Sequence, residues 1–295
     1  MKRRRIESRA SQTADITCLY RAYSFLEHHP LLHSDDSVAP LLLPEKIKPL
    51  ARFAMARNFL SRLLGPKGMY EWVIARTKYI DRQFQEAGLQ HYEQVLILGA
   101  GFDSRCVRFR EQLKNTRIFE IDAATTQLLK ITQFRKRDVV FPENVTFIPM
   151  NFETESMVEK LEKAGFQKGV KTLILMEGVL QYLAPKAANE TLQNLQDLCG
   201  QGSRLICDYA HQSTLRGGGK DYGEKGVLSK IKVYGESWQF GLDNNEVQHF
   251  VEKYGFRLLD HKSPSDFEKD YFADSNGKVV FRVNGTQSIM IAEKQ

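Results

Sequence analysis

From Gln94 onward, short apolar runs alternate with amphipathic stretches of helical length, and few architectures can accommodate that pattern. It is the signature of parallel strands buried on both faces by crossover helices. The runs predict strands at Val95–Leu98, Arg117–Ile121, Val145–Pro149, Thr172–Met176 and Arg204–Cys207. Helices are expected between them near Arg105–Leu113, Ala124–Arg135, Glu155–Ala164 and Lys186–Leu198, so the expected class is α/β with a doubly wound sheet. Next comes a polar, glycine-rich segment, His211–Tyr234, containing Gly217-Gly218-Gly219. It is too long for an ordinary connection and reads as a lid or insertion reaching to about residue 245. A helix at Glu246–Tyr254 and strands at Arg257–Asp260 and Ser288–Ala292 complete the pattern.

The first ninety residues contain no strand candidate. In Ala14–His28 the side chains Ile16, Leu19, Tyr20, Tyr23 and Leu26 recur at helical steps, and Asp15 can support the helix start. A proline-punctuated loop, Pro30–Pro49, leads to two more amphipathic helices, Ala51–Leu64 and Met69–Gln85, separated by Gly65-Pro66. The expected organisation is a helical cap over residues 1–90 that contributes to the active site, followed by a ligand-binding sheet domain over 91–295.

Composition narrows the function classes. The 295 residues are 42% hydrophobic and 26% charged, as in a soluble globular protein, and no apolar run approaches the roughly 18 residues of a bilayer crossing. No membrane partner is expected. The basic start Met1-Lys2-Arg3-Arg4-Arg5 is followed by Glu7, Arg9 and Asp15 where a signal peptide would be apolar, so secretion is not expected. Residues 1–9 hold five basic side chains against Glu7, which leaves only +2 of the +6 net charge for the remainder, too little for a nucleic-acid footprint. Cys18, Cys106, Cys199 and Cys207 form no C-x-x-C pair, which argues against a zinc ribbon or a disulfide framework and fits a reducing cytoplasm. His28, His29 and His33 have no acids at ligand spacing, so no metal centre is expected. Nothing in the sequence sets the oligomeric state.

In an open α/β sheet the ligand sits beyond the carboxyl ends of the strands, so the residues following each run carry the chemistry. The first run ends in Leu98-Gly99-Ala100-Gly101-Phe102-Asp103, where two glycines let backbone approach a ligand. About twenty residues on, Glu120 and Asp122 end the second run at the distance where a carboxylate meets ribose hydroxyls. A nucleoside is expected there. The third glycine of a dinucleotide fingerprint falls at Ser104, and Asp103 stands where a pyrophosphate would sit; both argue against NAD or FAD. S-adenosylmethionine carries no phosphate and presents a sulfonium and an ammonium, which suit a turn flanked by acids. Asp103 also has the position of a helix cap. Glu177, at the end of the fourth run, needs a polar answer inside the protein, either such a cation or a structural arginine. Asn151 and Phe152, after the third run, could bond and cover an adenine.

Four motifs in order resemble the leucine carboxyl methyltransferase family: Arg76-Thr77-Lys78-Tyr79-Ile80-Asp81; Leu98 to Arg105; Phe119-Glu120-Ile121-Asp122; and Glu177-Gly178-Val179-Leu180-Gln181-Tyr182-Leu183. With Gly235 to Gly241 and Tyr254-Gly255-Phe256 they are most similar to its bacterial small-molecule O-methyltransferase branch. The resemblance implies a Rossmann-like class I methyltransferase sheet with a helical cap, S-adenosylmethionine as cofactor, S-adenosylhomocysteine as product and methyl transfer to oxygen. By motif, Gly99, Ala100 and Gly101 would line the methionine part, with Phe102 and Asp103 following. Asp122 would hold the ribose, Asn151 and Phe152 the adenine, Glu177 the ammonium, and Arg76 or Arg82 the methionine carboxylate. The chain departs from the family pattern at Asn151, where many members have an acid, and at Lys78, where the cap motif usually has a second Arg.

The implied reaction is an in-line displacement in which the protein mainly positions the acceptor oxygen in a dry pocket. A carboxylate acceptor arrives ionised; a phenolic or enolic hydroxyl benefits from a base, for which His211 is the candidate, and Tyr182 and Tyr209 could border the acceptor. A polyketide-like or aromatic small molecule is the expected acceptor, against a protein C-terminal carboxylate. Two other classes stay open at this level: a nicotinamide-dependent oxidoreductase and a nucleoside-binding protein without catalysis.

Overall fold

A computed structural model describes residues 11–233 and 235–295. The basic opening over residues 1–9, and Tyr234 at the end of the polar segment, lie outside the described residues.

Four helices precede the sheet: α1 (Gln12–Phe25), α2 (Lys48–Ala51), α3 (Ala54–Leu64) and α4 (Met69–Ala87). The sheet unit then runs β1 (Gln94–Leu98), α5 (Arg105–Arg108), β2 (Arg117–Asp122), α6 (Ala124–Arg135), β3 (Val145–Pro149), α7 (Met157–Lys163), β4 (Thr172–Met176), α8 (Pro185–Leu198) and β5 (Arg204–Ala210). It continues through α9 (Gln212–Leu215), α10 (Val227–Val233), α11 (Val247–Glu252), β6 (Phe256–Lys262), α12 (Pro264–Tyr271) and β7 (Gln287–Lys294). The seven strands lie in the order β3-β2-β1-β4-β5-β7-β6; the first five are parallel, and β7 pairs antiparallel with both β5 and β6.

The central strands β1 and β4 are buried at every position, as their uninterrupted apolar runs require. Alternate side chains enter two cores. Val95, Ile97, Leu173 and Leu175 join α1, α4 and α5, whereas Leu96, Leu98, Ile174 and Met176 join α7, α8 and α11. The N-terminal helices therefore share one continuous core with a face of the sheet. The strand order reverses between β1 and β4, and that switch point opens a crevice beyond their carboxyl ends.

Several elements differ from the sequence expectation, among them α12 and the helices α9 and α10 within the polar segment, none of which was expected. The helix expected at Ala51–Leu64 breaks into α2 and α3 where Phe53 adopts an extended backbone, and Arg57 Nη1 donates to the Ala51 carbonyl (2.9 Å) across the break. The helix after Ser104 stops at Arg108, and the chain continues in turns through Thr116. Strand β5 runs on to Ala210, because Asp208, Tyr209 and Ala210 pair with Ile289, Ser288 and Gln287 of β7. Among the described residues no helix is long and apolar enough to cross a membrane.

Candidate active site

At the tip of β1 the chain must turn sharply without side chains in the way. Gly99 and Gly101 adopt φ +62° and +48°, the left-handed region that glycine enters without a Cβ penalty. Asp122 fixes the turn from the end of β2, its Oδ2 accepting from the Gly101 amide and its Oδ1 from Ala123 N at 2.6 Å. Burial pushes the Asp122 carboxyl up to about 6, although the two amides pull against that rise.

Below the turn lies a lattice of buried ion pairs. Arg76 from α4 bonds Asp208 of β5 through Nη1, and its Nε lies 3.0 Å from Glu177 Oε1. Arg105 donates to Glu177 Oε2 (2.6 Å), to Asp81 Oδ1 (2.8 Å) and to Asp103. Arg108 pairs with Asp81 at 2.7 Å, and Arg21 of α1 reaches Asp36 at 3.2 Å and the Phe102 carbonyl at 2.7 Å. Burial opposes ionisation of Asp103, yet Arg105, Lys130 and Arg21 outweigh it and hold that carboxyl at about 2. Glu177 is likewise lowered, since Arg105 and Arg76 overcome its burial. Asp208 is raised, because its burial is not fully offset by Arg76.

The lattice thus sets four guanidiniums (Arg21, Arg76, Arg105, Arg108) against five carboxylates (Asp36, Asp81, Asp103, Glu177, Asp208). One negative charge is left over. Glu177 Oε1 faces Arg76 Nε as a charge partner but receives no aligned hydrogen bond, so this buried carboxylate oxygen keeps accepting capacity.

Above this floor a cavity of about 650 Å³ extends from the glycine turn past Asp122, Asn151 and Phe152 on one side and Arg76 and Glu177 on the other. Its far half is walled by Ile16, Tyr20, Met69, Trp72, Ile231 and Trp238, from α1, α4, α10 and the loop after α10. Glu236 in that loop accepts from Ser11 Oγ (2.8 Å) and Thr13 Oγ1 (2.6 Å), tying the start of α1 across the cavity.

A family model described as leucine carboxyl methyltransferase matches residues 14–196, more than half the chain. The chain belongs to the leucine carboxyl methyltransferase family. A protein of Bacillus subtilis (strain 168), provisionally named S-adenosyl-L-methionine-dependent methyltransferase YktD, is 26% identical over 287 residues, covering 91% of this chain and 93% of its own length. A crystal structure from Thermobifida fusca YX, provisionally titled a methyltransferase, aligns with TM-score 0.61 at 15% identity over 98% of this chain and 96% of its own. A DUF574-family protein from Streptomyces avermitilis MA-4680 aligns with TM-score 0.60 at 13% identity over 97% of this chain and 98% of its own. At such identities the two structures speak for the fold.

The methyltransferase is S-adenosylmethionine-dependent, and its cavity floor fits that donor. Sulfonium, ammonium and carboxylate together carry one net positive charge, the complement of the lattice's excess. Glu177 Oε1, which receives no hydrogen bond, is an acceptor an ammonium can satisfy, and the carboxylate of Asp122 lines the same cavity. No dinucleotide reading survives the family assignment.

Of the residues singled out in the sequence, Gly99, Ala100, Gly101, Phe102, Asp103, Asp122, Asn151, Phe152, Glu177, Arg76 and Tyr182 line this one cavity. Asp103 is not the N-cap of α5, which is Ser104; from one residue earlier it accepts from the first helical amide, Arg105 N, at 2.6 Å. Arg82 is exposed and outside the cavity, so of those two arginines it is Arg76 that reaches it, beside Arg21 of α1. Three further expectations need correction. Glu120 is not at the ligand: it is fully buried below Asp122 and held by Lys130 Nζ (2.5 Å) from α6. Tyr209 does not line this cavity, because β5 continues past it; its hydroxyl bonds Asn244 Oδ1 (2.8 Å) and lies 2.7 Å from His261 Nε2. The same extension carries His211 away from the cleft to the start of β7, where Nε2 lies 2.8 Å from Ser288 Oγ and burial lowers its pKa.

Arg21, Arg105, Asp208 and Glu236 were not singled out for any role. The signal for Asp208 was present: like Glu177, it is a carboxylate beside an apolar run and demanded a buried partner. Glu236 offered none, since its partners lie more than two hundred residues away.

Proposed function

We propose that this methyltransferase transfers the methyl group of S-adenosylmethionine to an oxygen, a carboxylate or an acidic phenolic or enolic hydroxyl, of a small apolar molecule. The observation that carries this reading is the continuity of one cavity from the charged donor floor into an apolar chamber walled by α1, α4 and α10. A chamber so covered suits a small acceptor better than the end of a protein chain.

The bound donor supplies an electrophilic methyl on a sulfonium. The chain's own residues do the positioning. Glu177 and Asp122 would anchor the two ends of the donor, and Gly99 and Gly101 allow the backbone to lie against it. Trp72, Tyr20 and Trp238 exclude water around the acceptor, which strengthens every electrostatic contact inside. No histidine lines the cavity among the described residues, so an acceptor that arrives ionised needs no proton removed. Lys230 lines the same cavity and donates to the carbonyls of Leu63 (2.9 Å) and Gly65 (3.0 Å), both neutral partners. Its charge is therefore available to steer an anionic acceptor.

The test is incubation of the purified chain with S-adenosylmethionine and a panel of aromatic and polyketide-like acids and phenols, followed by mass spectrometry. The expected result is a product carrying one added methyl on oxygen, formed with stoichiometric S-adenosylhomocysteine. Methylation confined to peptide C-termini or to nitrogen would overturn the reading, and donor binding without transfer to any acceptor would favour a nucleoside-binding protein.

A further inference from the structure

Helix α3 is inside out. An amphipathic helix of a globular protein turns its apolar stripe to the core. Here the most buried positions are polar, with Leu60 and Leu64 only partly buried against the core beside them: Arg57 is 2% exposed and donates from Nε to Glu27 (2.9 Å), and Ser61 is 6% exposed, its carbonyl accepting from Tyr20 OH (3.0 Å). The outward positions are Met55, Phe59 and Leu63, one helical turn apart, exposed by 85%, 67% and 61%. Phe53 before the helix is 65% exposed. Lys230 ties α10 to the end of α3, and Val233, three residues on, is 75% exposed. The stripe borders the cavity, since Leu64, Pro66 and Ile231 line it from the same two helices.

The charge around the stripe has one sign. Residues 46–70 and 225–235 contain no Asp or Glu, and they carry Lys46, Lys48, Arg52, Arg57, Arg62, Lys67, Lys225, Lys230 and Lys232. Arg57 is neutralised by Glu27 and Lys48 by Glu45, and Glu71 acts on Arg62, which leaves Lys46, Arg52, Lys67, Lys225, Lys230 and Lys232 as a cationic rim. A second copy of the chain docked on the same face would set these charges against each other, at a cost. An apolar helical face within a Lys/Arg rim is the pattern of a helix lying in the interface of an anionic bilayer.

We infer that the outward face of α3, with the end of α10, seats on an anionic lipid surface and brings the cavity mouth to that surface. The sequence expectation of no membrane partner came from the lack of a spanning segment, whereas this face needs none. The docking rests on α3 and α10 alone and holds whichever acceptor is methylated.

The test uses the full chain without donor and flotation with vesicles of phosphatidylglycerol and phosphatidylcholine in equal parts, against vesicles of phosphatidylcholine alone. Binding is expected to the first and not to the second, weakening as salt rises. The doubly substituted Phe59→Glu/Leu63→Glu chain should lose roughly tenfold or more in partitioning, because two apolar side chains can no longer enter the acyl boundary. Both side chains are exposed, so its thermal unfolding should match the parent, and that is checked first. Arg52→Glu/Arg62→Glu should weaken binding as well. The inference is overturned if the parent does not float with anionic vesicles, or if Phe59→Glu/Leu63→Glu binds as well as the parent, which would be adsorption by charge only. It is equally overturned if the parent sediments as a dimer that this variant dissociates, since a second copy would then cover the stripe.

Discussion

Arg76 of α4 and Asp208 of β5, 132 residues apart in the chain, meet as a buried ion pair, and the same guanidinium stands 3.0 Å from Glu177. One side chain from the N-terminal helices thereby joins the ends of β4 and β5. Removing one partner of a buried pair leaves an uncompensated charge, at roughly 3–5 kcal/mol. Arg76→Met should lower the free energy of unfolding by about that amount in urea titrations, and donor affinity should fall with it. Arg76→Lys should recover only part of either, because an ammonium cannot bridge both carboxylates in the geometry of the planar fork.

Donor binding should depend on pH through Asp122. Its carboxyl sits at about 6 in the folded chain against 3.8 ordinarily. Its protonated form favours the fold, a contribution present below about 4 and lost as pH rises through 6. Ribose hydroxyls donate to the ionised form, so affinity has the opposite sense: full above pH 6, falling by up to about tenfold per unit below it. Calorimetric titration with S-adenosylhomocysteine between about pH 5 and 8 should trace this curve. Asp122→Asn should weaken binding and flatten the profile.

At Gly99 an added methyl group would overlap Val179 Cγ2, and φ is +62°. Gly99→Ala should lose about 1–2 kcal/mol from the left-handed backbone alone, and more from the collision. Gly101 meets only Ala14 Cβ, at 3.3 Å, so Gly101→Ala should be the milder change. Adding Val179→Ala to Gly99→Ala should recover the steric part of the loss and leave the backbone part, readable as two steps in melting temperature.

His211 is buried beside Ser288 and away from the cavity. His211→Gln should leave the turnover of methyl transfer unchanged while lowering stability by ~1–2 kcal/mol, the range for a lost buried hydrogen bond. Because burial lowers its pKa, the neutral ring belongs to the fold. Its contribution is intact above about 6.5 and drains away as pH falls below that, since the unfolded chain takes up the proton first. The parent should therefore lose more stability than the variant between pH 7 and the acid side of that window; a fall in turnover at unchanged stability would return His211 to the chemistry.

By itself the sequence determined the strands, the glycine turn between β1 and α5, and the family, because these are written in short-range patterns. Runs such as Leu173–Met176 are apolar without a break, and the motifs around Gly99, Asp122 and Glu177 each occupy a few adjacent residues. Only the tertiary structure decided who answers each buried charge. Glu120 went to Lys130, and Glu177 went to Arg105 and Arg76. The pairing of β5 with β7 moved Tyr209 and His211 out of the cleft. The orientation of α3 was decided there too: Arg57 lies inward against Glu27 while Met55, Phe59 and Leu63 are exposed. The physical reason is common to all of these. Apolar burial and backbone conformation are set by neighbours in sequence, whereas the desolvation cost of a charge is met by whichever opposite charge the folded chain brings within about 4 Å, and sequence distance does not constrain that choice.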